Sequence, residues 1–236
     1  MNLLLFSQQD RINNNKIRVS DFRLQHLRDV LAADTGDSLR VGEVDGLMGS
    51  AEVLELTSDK AVLTVSLDQK PPAKIPLTLV LALPRPKMLR RILRTVAELG
   101  VPELHLINSY RVEKSYWQTP VLDDQVVRDY FLQGLMQSRD TVLPTLYLHK
   151  RFKPFVEDEF PALAEHHRTL LAHPGDYPPC PGASDQPTLL VIGPEGGFIP
   201  YEVEKLQVAG CDTVSLGPRI LRVENAVSCL IAKIST

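Results

Sequence analysis

Apolar and polar positions along the chain follow two rhythms, and the change falls at Lys70-Pro71-Pro72-Ala73-Lys74. Before that break short, closely spaced runs predominate. Leu39 to Val44 alternates, and Ala51 to Leu56 and Ala61 to Leu67 follow, with Asp45-Gly46 and Ser58-Asp59-Lys60 as the turns between them. Alternation lays apolar side chains on one face of a strand, and Asp-Gly is a hairpin signal. One helix is predicted from Asp21 to Ala33, capped by Ser20 or Asp21. So many strands in so short a segment predict a compact β-barrel over residues 1–72. Such barrels are often nucleic-acid-binding modules, although a fold alone proves no function.

After the break strands alternate with helices. Strands are predicted at Leu77 to Leu83, Leu104 to Ile107, Thr145 to Leu148, Thr169 to Ala172, Leu189 to Ile192 and Thr213 to Leu216. Helices are predicted at Lys87 to Leu99, closed by Gly100, and at Asp124 to Met136, Glu202 to Ala209 and Glu224 to Ile234. This rhythm is that of an α/β domain with a mainly parallel sheet over residues 73–236. The proline-rich stretch Pro174 to Pro187 reads as a surface loop.

Two of these strands stop abruptly in glycine and proline. Leu189-Leu190-Val191-Ile192 runs into Gly193-Pro194-Glu195-Gly196-Gly197-Phe198, and Leu216-Gly217-Pro218-Arg219-Ile220-Leu221-Arg222 echoes it. Ligands of parallel sheets sit beyond the carboxyl ends of the strands, where both glycine tips fall. Neither tip continues as G-x-G-x-x-G or G-x-x-x-x-G-K-[ST], so the ligand expected here carries no phosphates.

Composition narrows the class without naming it. The 236 residues are 44% apolar and 23% charged, with a net charge of −3, which is ordinary globular content and no overall basic grip on nucleic acid. Local charge differs: Arg85, Lys87, Arg90, Arg91 and Arg94 fall within ten residues at a predicted helix start. By itself such a stripe is a solvated helix face; beside a ligand pocket it becomes a candidate RNA phosphate track. Three widely spaced cysteines with no C-x-x-C argue against a zinc site or a disulfide framework, so no metal is expected. No apolar run is long enough to span a bilayer, and Met1 to Ser7 lacks the features of a signal peptide, so a cytoplasmic protein with no membrane partner is expected.

The run from Ile192-Gly193-Pro194-Glu195-Gly196-Gly197-Phe198 through Leu216-Gly217-Pro218-Arg219-Ile220-Leu221-Arg222 resembles the RsmE family, bacterial 16S ribosomal RNA uracil-N3 methyltransferases of the SPOUT superfamily. His26-Leu27-Arg28-Asp29-Val30-Leu31 with Gly36-Asp37 is similar to that family's amino-terminal PUA-like barrel, and Ala97-Glu98-Leu99-Gly100-Val101 to its first catalytic-domain helix. The resemblance implies a trefoil-knotted catalytic domain, a homodimer, S-adenosylmethionine as cofactor, and 16S rRNA or the assembled small subunit as partner. Carried over by motif, Leu171, Ala172 and His173 form one cofactor loop, Ile192, Gly193, Pro194 and Gly197 a second, and Leu216, Gly217, Ile220 and Leu221 a third. Arg222 is the residue expected to stabilise charge on the uracil, and Glu224 a base or a partner that orients the arginine. Arg139 joins the basic stripe as an expected RNA contact. The chain departs from the family pattern at Ala32, Thr95, Met136, Ile199, Val223 and Asn225, mostly on the side expected to face RNA.

Two other readings stay open at this level: a SPOUT methyltransferase with a different RNA target, and a catalytically silent RNA-binding or ribosome-assembly protein that keeps the pocket. A dinucleotide-dependent oxidoreductase is disfavoured by the missing fingerprint.

Overall fold

The computed structural model describes residues 2–235, and the chain divides into two compact units. The first unit runs up to Ala73 and also takes in Phe131–Leu143, a segment that the change of rhythm at residue 73 does not foretell. The second comprises Lys74–Tyr130 and the chain from Pro144 onward.

The first unit holds one six-stranded sheet built from β1 (Leu4–Phe6), β2 (Arg11–Asn13), β3 (Lys16–Val19), β4 (Ser38–Glu43), β5 (Met48–Leu56) and β6 (Ala61–Gln69), in the order β1-β4-β5-β6-β3-β2. Only β1 and β4 pair in parallel; the other ladders are antiparallel. Alternation sends Val53, Leu63 and Val65 inward to meet Ile17, Val19, Leu4 and Phe6 in one core. Helix α1 (Phe22–Asp29) adds Leu24 and Leu27, and Asp21 caps it by accepting from the Arg23 amide at 2.9 Å. It ends four residues before the predicted Ala33, because Ala32 turns into the left-handed region at φ 46°. Phe131–Leu143 is stitched into this unit by the amides of Asn2 and Leu3 on the Met136 carbonyl and by the Asp45 amide on Thr141.

The second unit holds a fully parallel six-stranded sheet of β7 (Leu77–Ala82), β8 (Glu103–Ile107), β9 (Thr145–His149), β10 (Arg168–Ala172), β11 (Thr188–Ile192) and β12 (Asp212–Val214). Its order is β12-β10-β11-β7-β8-β9. Every residue of β7 and β11 is buried, as expected of central parallel strands covered on both faces. Around the sheet lie α2 (Pro86–Glu98), α3 (Asp124–Ser138, which crosses into the first unit), α6 (Pro200–Val208) and α7 (Val223–Ser235). A helical stretch of α4 (Phe152–Pro154), a π turn over Phe155–Glu159 and α5 (Phe160–Ala164) leads back from β9 to β10. α7 packs on α2 and on β11. Among the described residues no helix is long and apolar enough to cross a membrane.

At the β8–β9 edge, away from the glycine tips, buried His105 accepts or donates through Nδ1 to His149 Nε2 at 3.0 Å, and His149 Nδ1 meets Glu159 at 2.9 Å. Burial first, and the neighbouring His149 second, push the His105 imidazole down to about 4.

Candidate functional site

Three stretches of chain converge at the carboxyl edge of the parallel sheet. β10 ends in Ala172-His173-Pro174, β11 in Ile192-Gly193-Pro194-Glu195, and β12 continues into the segment that holds Leu216, Gly217, Ile220 and Leu221. Together with Val214, Val223, Ala226 and Leu230 they line a cleft whose empty space, mouth included, is about 690 Å³.

Ala172, His173, Ile192, Gly193, Pro194, Gly197, Leu216, Gly217, Ile220 and Leu221 all line this cleft, so the three predicted loops come together. Leu171 does not line it. It lies within β10, fully buried, paired with Val191 and Thr213, and side chains alternate along a strand, so Ala172 turns to the cleft instead. Glu195 and Arg219, both inside the two glycine motifs, join the wall, and Pro174, Val214, Val223, Ala226 and Leu230, which lie outside them, complete it.

The wall is mostly aliphatic, and its ionisable members are His173, Glu195 and Arg219. Burial, and then the charge of Arg111, hold the His173 imidazole below its ordinary value, so it is neutral at pH 7. Geometry favours glycine at two positions. A Cβ at Gly193 would stand 3.1 Å from the Phe198 ring and 3.2 Å from the Phe198 amide, and Gly217 has φ 99°. The aliphatic wall, the bare backbone and the lack of a lysine suit a flat, partly apolar ligand without phosphates.

The glycine loop is braced from its neighbours. Glu195 Oε1 accepts from the Arg85 amide at 3.0 Å, and Arg111 donates to the Gly196 carbonyl. Ile199 has no side-chain acceptor with which to cap α6. Glu202 serves instead: its Oε2 accepts from the Ile199 amide at 3.0 Å and its Oε1 from the Tyr110 amide at 2.7 Å, with only 2% of the residue exposed. The signal for Glu202 is its place three residues into a helix that opens with proline.

The proline-rich connection from β10 to β11 is tied down as well. Cys180 donates its amide to Ser215, and Ser215 donates to Pro178, each at 2.8 Å, while the His173 amide reaches Val214 at 3.0 Å. The chain after β12 therefore lies between the end of β10 and the loop that leaves β10.

Arg222 and Glu224 flank the cleft without lining it. The Arg222 carbonyl accepts from the Ala226 amide at 2.8 Å, which makes Arg222 the residue that opens α7; its side chain is exposed and has no partner among the described residues. Glu224, in the first turn of α7, stands 3.8 Å from Arg91 of α2, and no ion pair joins it to Arg222 among the described residues. Within the basic stripe Lys87 and Arg90 are exposed and have no side-chain partner among the described residues, Arg94 lies over the Tyr130 ring at 5.2 Å, and Arg85 begins α2. Arg139 is exposed in a left-handed turn, φ 60°, on the segment that belongs to the first unit. Among the described residues no group of three or more His, Cys, Asp or Glu could hold a metal ion.

Residues 71–235 match the family model described as an RNA methyltransferase domain. The chain belongs to this RNA methyltransferase family. A Treponema pallidum protein named Ribosomal RNA small subunit methyltransferase E is 29% identical over 239 residues, covering 98% of this chain and 90% of that one. Among solved structures, a Legionella pneumophila protein with the cofactor SAM bound aligns with a TM-score of 0.73 at 21% identity, over 98% of this chain and 96% of that one. A Neisseria gonorrhoeae Ribosomal RNA small subunit methyltransferase E bound to S-adenosyl methionine aligns with a TM-score of 0.72 at 19% identity, with the same coverage. The resemblance to the RsmE family drawn from the two glycine motifs is thereby upheld, and the solved structures share this chain's fold.

Proposed function

We propose that this protein methylates N3 of one uridine in the 16S RNA of the small ribosomal subunit, with S-adenosylmethionine as cofactor and as a cytoplasmic homodimer. The observation that carries the reading is the cleft itself: three loops of a methyltransferase-family domain meet around an aliphatic, glycine-edged space without a phosphate cradle. Ala172, His173, Ile192, Gly193, Pro194, Gly197, Leu216, Gly217, Ile220 and Leu221 hold the cofactor, with aliphatic walls for the adenine and backbone groups for its polar edges. S-adenosylmethionine supplies the methyl group as a sulfonium electrophile.

The chain's residues must orient a uracil and help its N3 lose a proton. Arg222, unpaired beside the cleft among the described residues, stabilises the negative charge that spreads to the uracil oxygens as that proton leaves. Glu224 acts through Arg91, holding it toward the same rim. Because N3 faces the partner base in a duplex, the target uridine is single-stranded or flipped out. The first unit acts as a PUA-like RNA-binding barrel, and Arg85, Lys87, Arg90, Arg91, Arg94 and Arg139 meet phosphates. A trefoil knot is supported by the placement of Ser215 between the end of β10 and the loop that leaves it.

Calorimetric titration with S-adenosylmethionine, followed by transfer assays on free 16S RNA and on small subunits, tests the reading. Saturable one-site binding with transfer supports it. Binding without transfer to any RNA would favour a silent RNA-binding protein, and no binding would sink both.

A further inference from the structure

Beside the glycine loop, the segment after β8 carries Tyr110-Arg111-Val112-Glu113-Lys114-Ser115-Tyr116-Trp117, aromatic and basic residues interleaved. It contains no regular helix beyond a short 3-10 turn, yet it is fixed at three points. Trp117 donates its indole N–H to Asn108 at 3.0 Å, Arg111 reaches the Gly196 carbonyl, and the Tyr110 amide donates to Glu202 at 2.7 Å. The last of these is costly to build. Burying a carboxylate is unfavourable unless its oxygens are hydrogen-bonded, and capping α6 uses only one of them, on Ile199. The second oxygen goes to a loop residue whose side chain does no packing: Tyr110 is 79% exposed, and its hydroxyl has no partner among the described residues.

A ring held rigidly at the backbone and left bare to water, next to a guanidinium docked on the cleft loop, has the make-up of a stacking platform. Aromatic faces accept unpaired bases, and fixing the ring beforehand removes the entropy cost of ordering it on binding. Tyr116 adds a second ring nearby, within reach of the charges of Arg85 and Glu195. We propose that Tyr110 stacks on an unpaired base of the RNA at the mouth of the cleft, and that Glu202 is the positioning residue that fixes it there. This rests on the reading of the cleft as an RNA methyltransferase site.

The test compares Tyr110→Ala, Tyr110→Phe and Glu202→Gln in the full-length protein, with a short uridine-containing single-stranded RNA as probe and S-adenosylmethionine affinity as control. Tyr110→Ala is expected to weaken RNA binding, and to raise the RNA KM, by roughly tenfold or more, while cofactor affinity stays within twofold. Tyr110→Phe keeps the ring and is expected to bind within about twofold of the parent. A 2-aminopurine base in the probe, quenched on binding to the parent and to Tyr110→Phe, should stay bright with Tyr110→Ala. Glu202→Gln is expected to raise the RNA KM more than it lowers kcat. Unchanged RNA affinity in Tyr110→Ala, or a Tyr110→Phe loss as large as that of Ala, overturns the proposal. If the parent binds RNA but transfers no methyl group, the methyltransferase reading falls while the same binding data still decide the role of Tyr110.

Discussion

Glu224 is paired with Arg91, at 3.8 Å, rather than with the arginine two residues before it. The pair joins α7 to α2 and leaves Arg222 unattached beside the cleft among the described residues. Arg222→Ala is therefore expected to lower kcat by on the order of 10²-fold or more, the usual loss when a charge-stabilising donor is removed. Cofactor binding should survive, because Arg222 is not part of the cleft wall. Glu224→Gln should cost less than about tenfold in kcat, as expected of a group that acts through Arg91 instead of taking the N3 proton. Side-by-side kinetics of the two variants decide this; a larger loss in Glu224→Gln than in Arg222→Ala would reverse the roles.

Gly217, with φ 99°, faces open space, so a methyl group there meets no atom and its cost is conformational. Gly217→Ala is expected to lower stability by about 1 kcal/mol and to weaken S-adenosylmethionine binding as the loop shifts. Thermal unfolding and calorimetry on the same preparation measure both effects, and unchanged cofactor affinity would remove the 216–221 segment from the site.

Lys87 and Arg90 have no side-chain partner among the described residues and are free to meet phosphates, whereas Arg94 lies on Tyr130. Replacing both by alanine should flatten the slope of log K for RNA against log salt by roughly 1.4 to 1.8, at ~0.7 to 0.9 for each phosphate no longer neutralised. Binding titrations at several salt concentrations give this slope. An unaltered slope would make the stripe a solvated helix face.

The buried His105 contributes a pH dependence of stability. Its folded value of about 4 lies below the ordinary 6.5, so the unfolded chain takes up the proton first. Stability is fully present above pH 6.5 and is lost as the pH falls toward 4, by on the order of 3 kcal/mol. Urea unfolding across that window should show the loss, and His105→Leu should make the slope shallower. An unchanged slope in that variant would place the effect elsewhere.

The sites of these predictions are unequally legible in the sequence. The long apolar runs that become β7 and β11 stand out because a doubly buried strand has no polar face, and the glycine-rich turn after β11 marks where that strand stops. The short strands β1, β2 and β3 do not: three or four residues are too few to show alternation. The α4–α5 stretch is hidden by Pro154 and Pro161 and by a π turn that breaks the 3.6-residue period. The link from Glu224 to Arg91, and the second use of Glu202 on Tyr110, join residues far apart in the chain, and no local pattern encodes such pairings.

The central claim, methylation of uridine N3 in small-subunit RNA, is tested most directly by one incubation. Small subunits and free 16S RNA from a strain lacking this gene are treated with the purified protein and labelled S-adenosylmethionine, and the RNA is digested and mapped by mass. One added methyl group on N3 of a single uridine, absent with Arg222→Ala, is the predicted result. Transfer to another atom or base, or no transfer to either substrate, would contradict it.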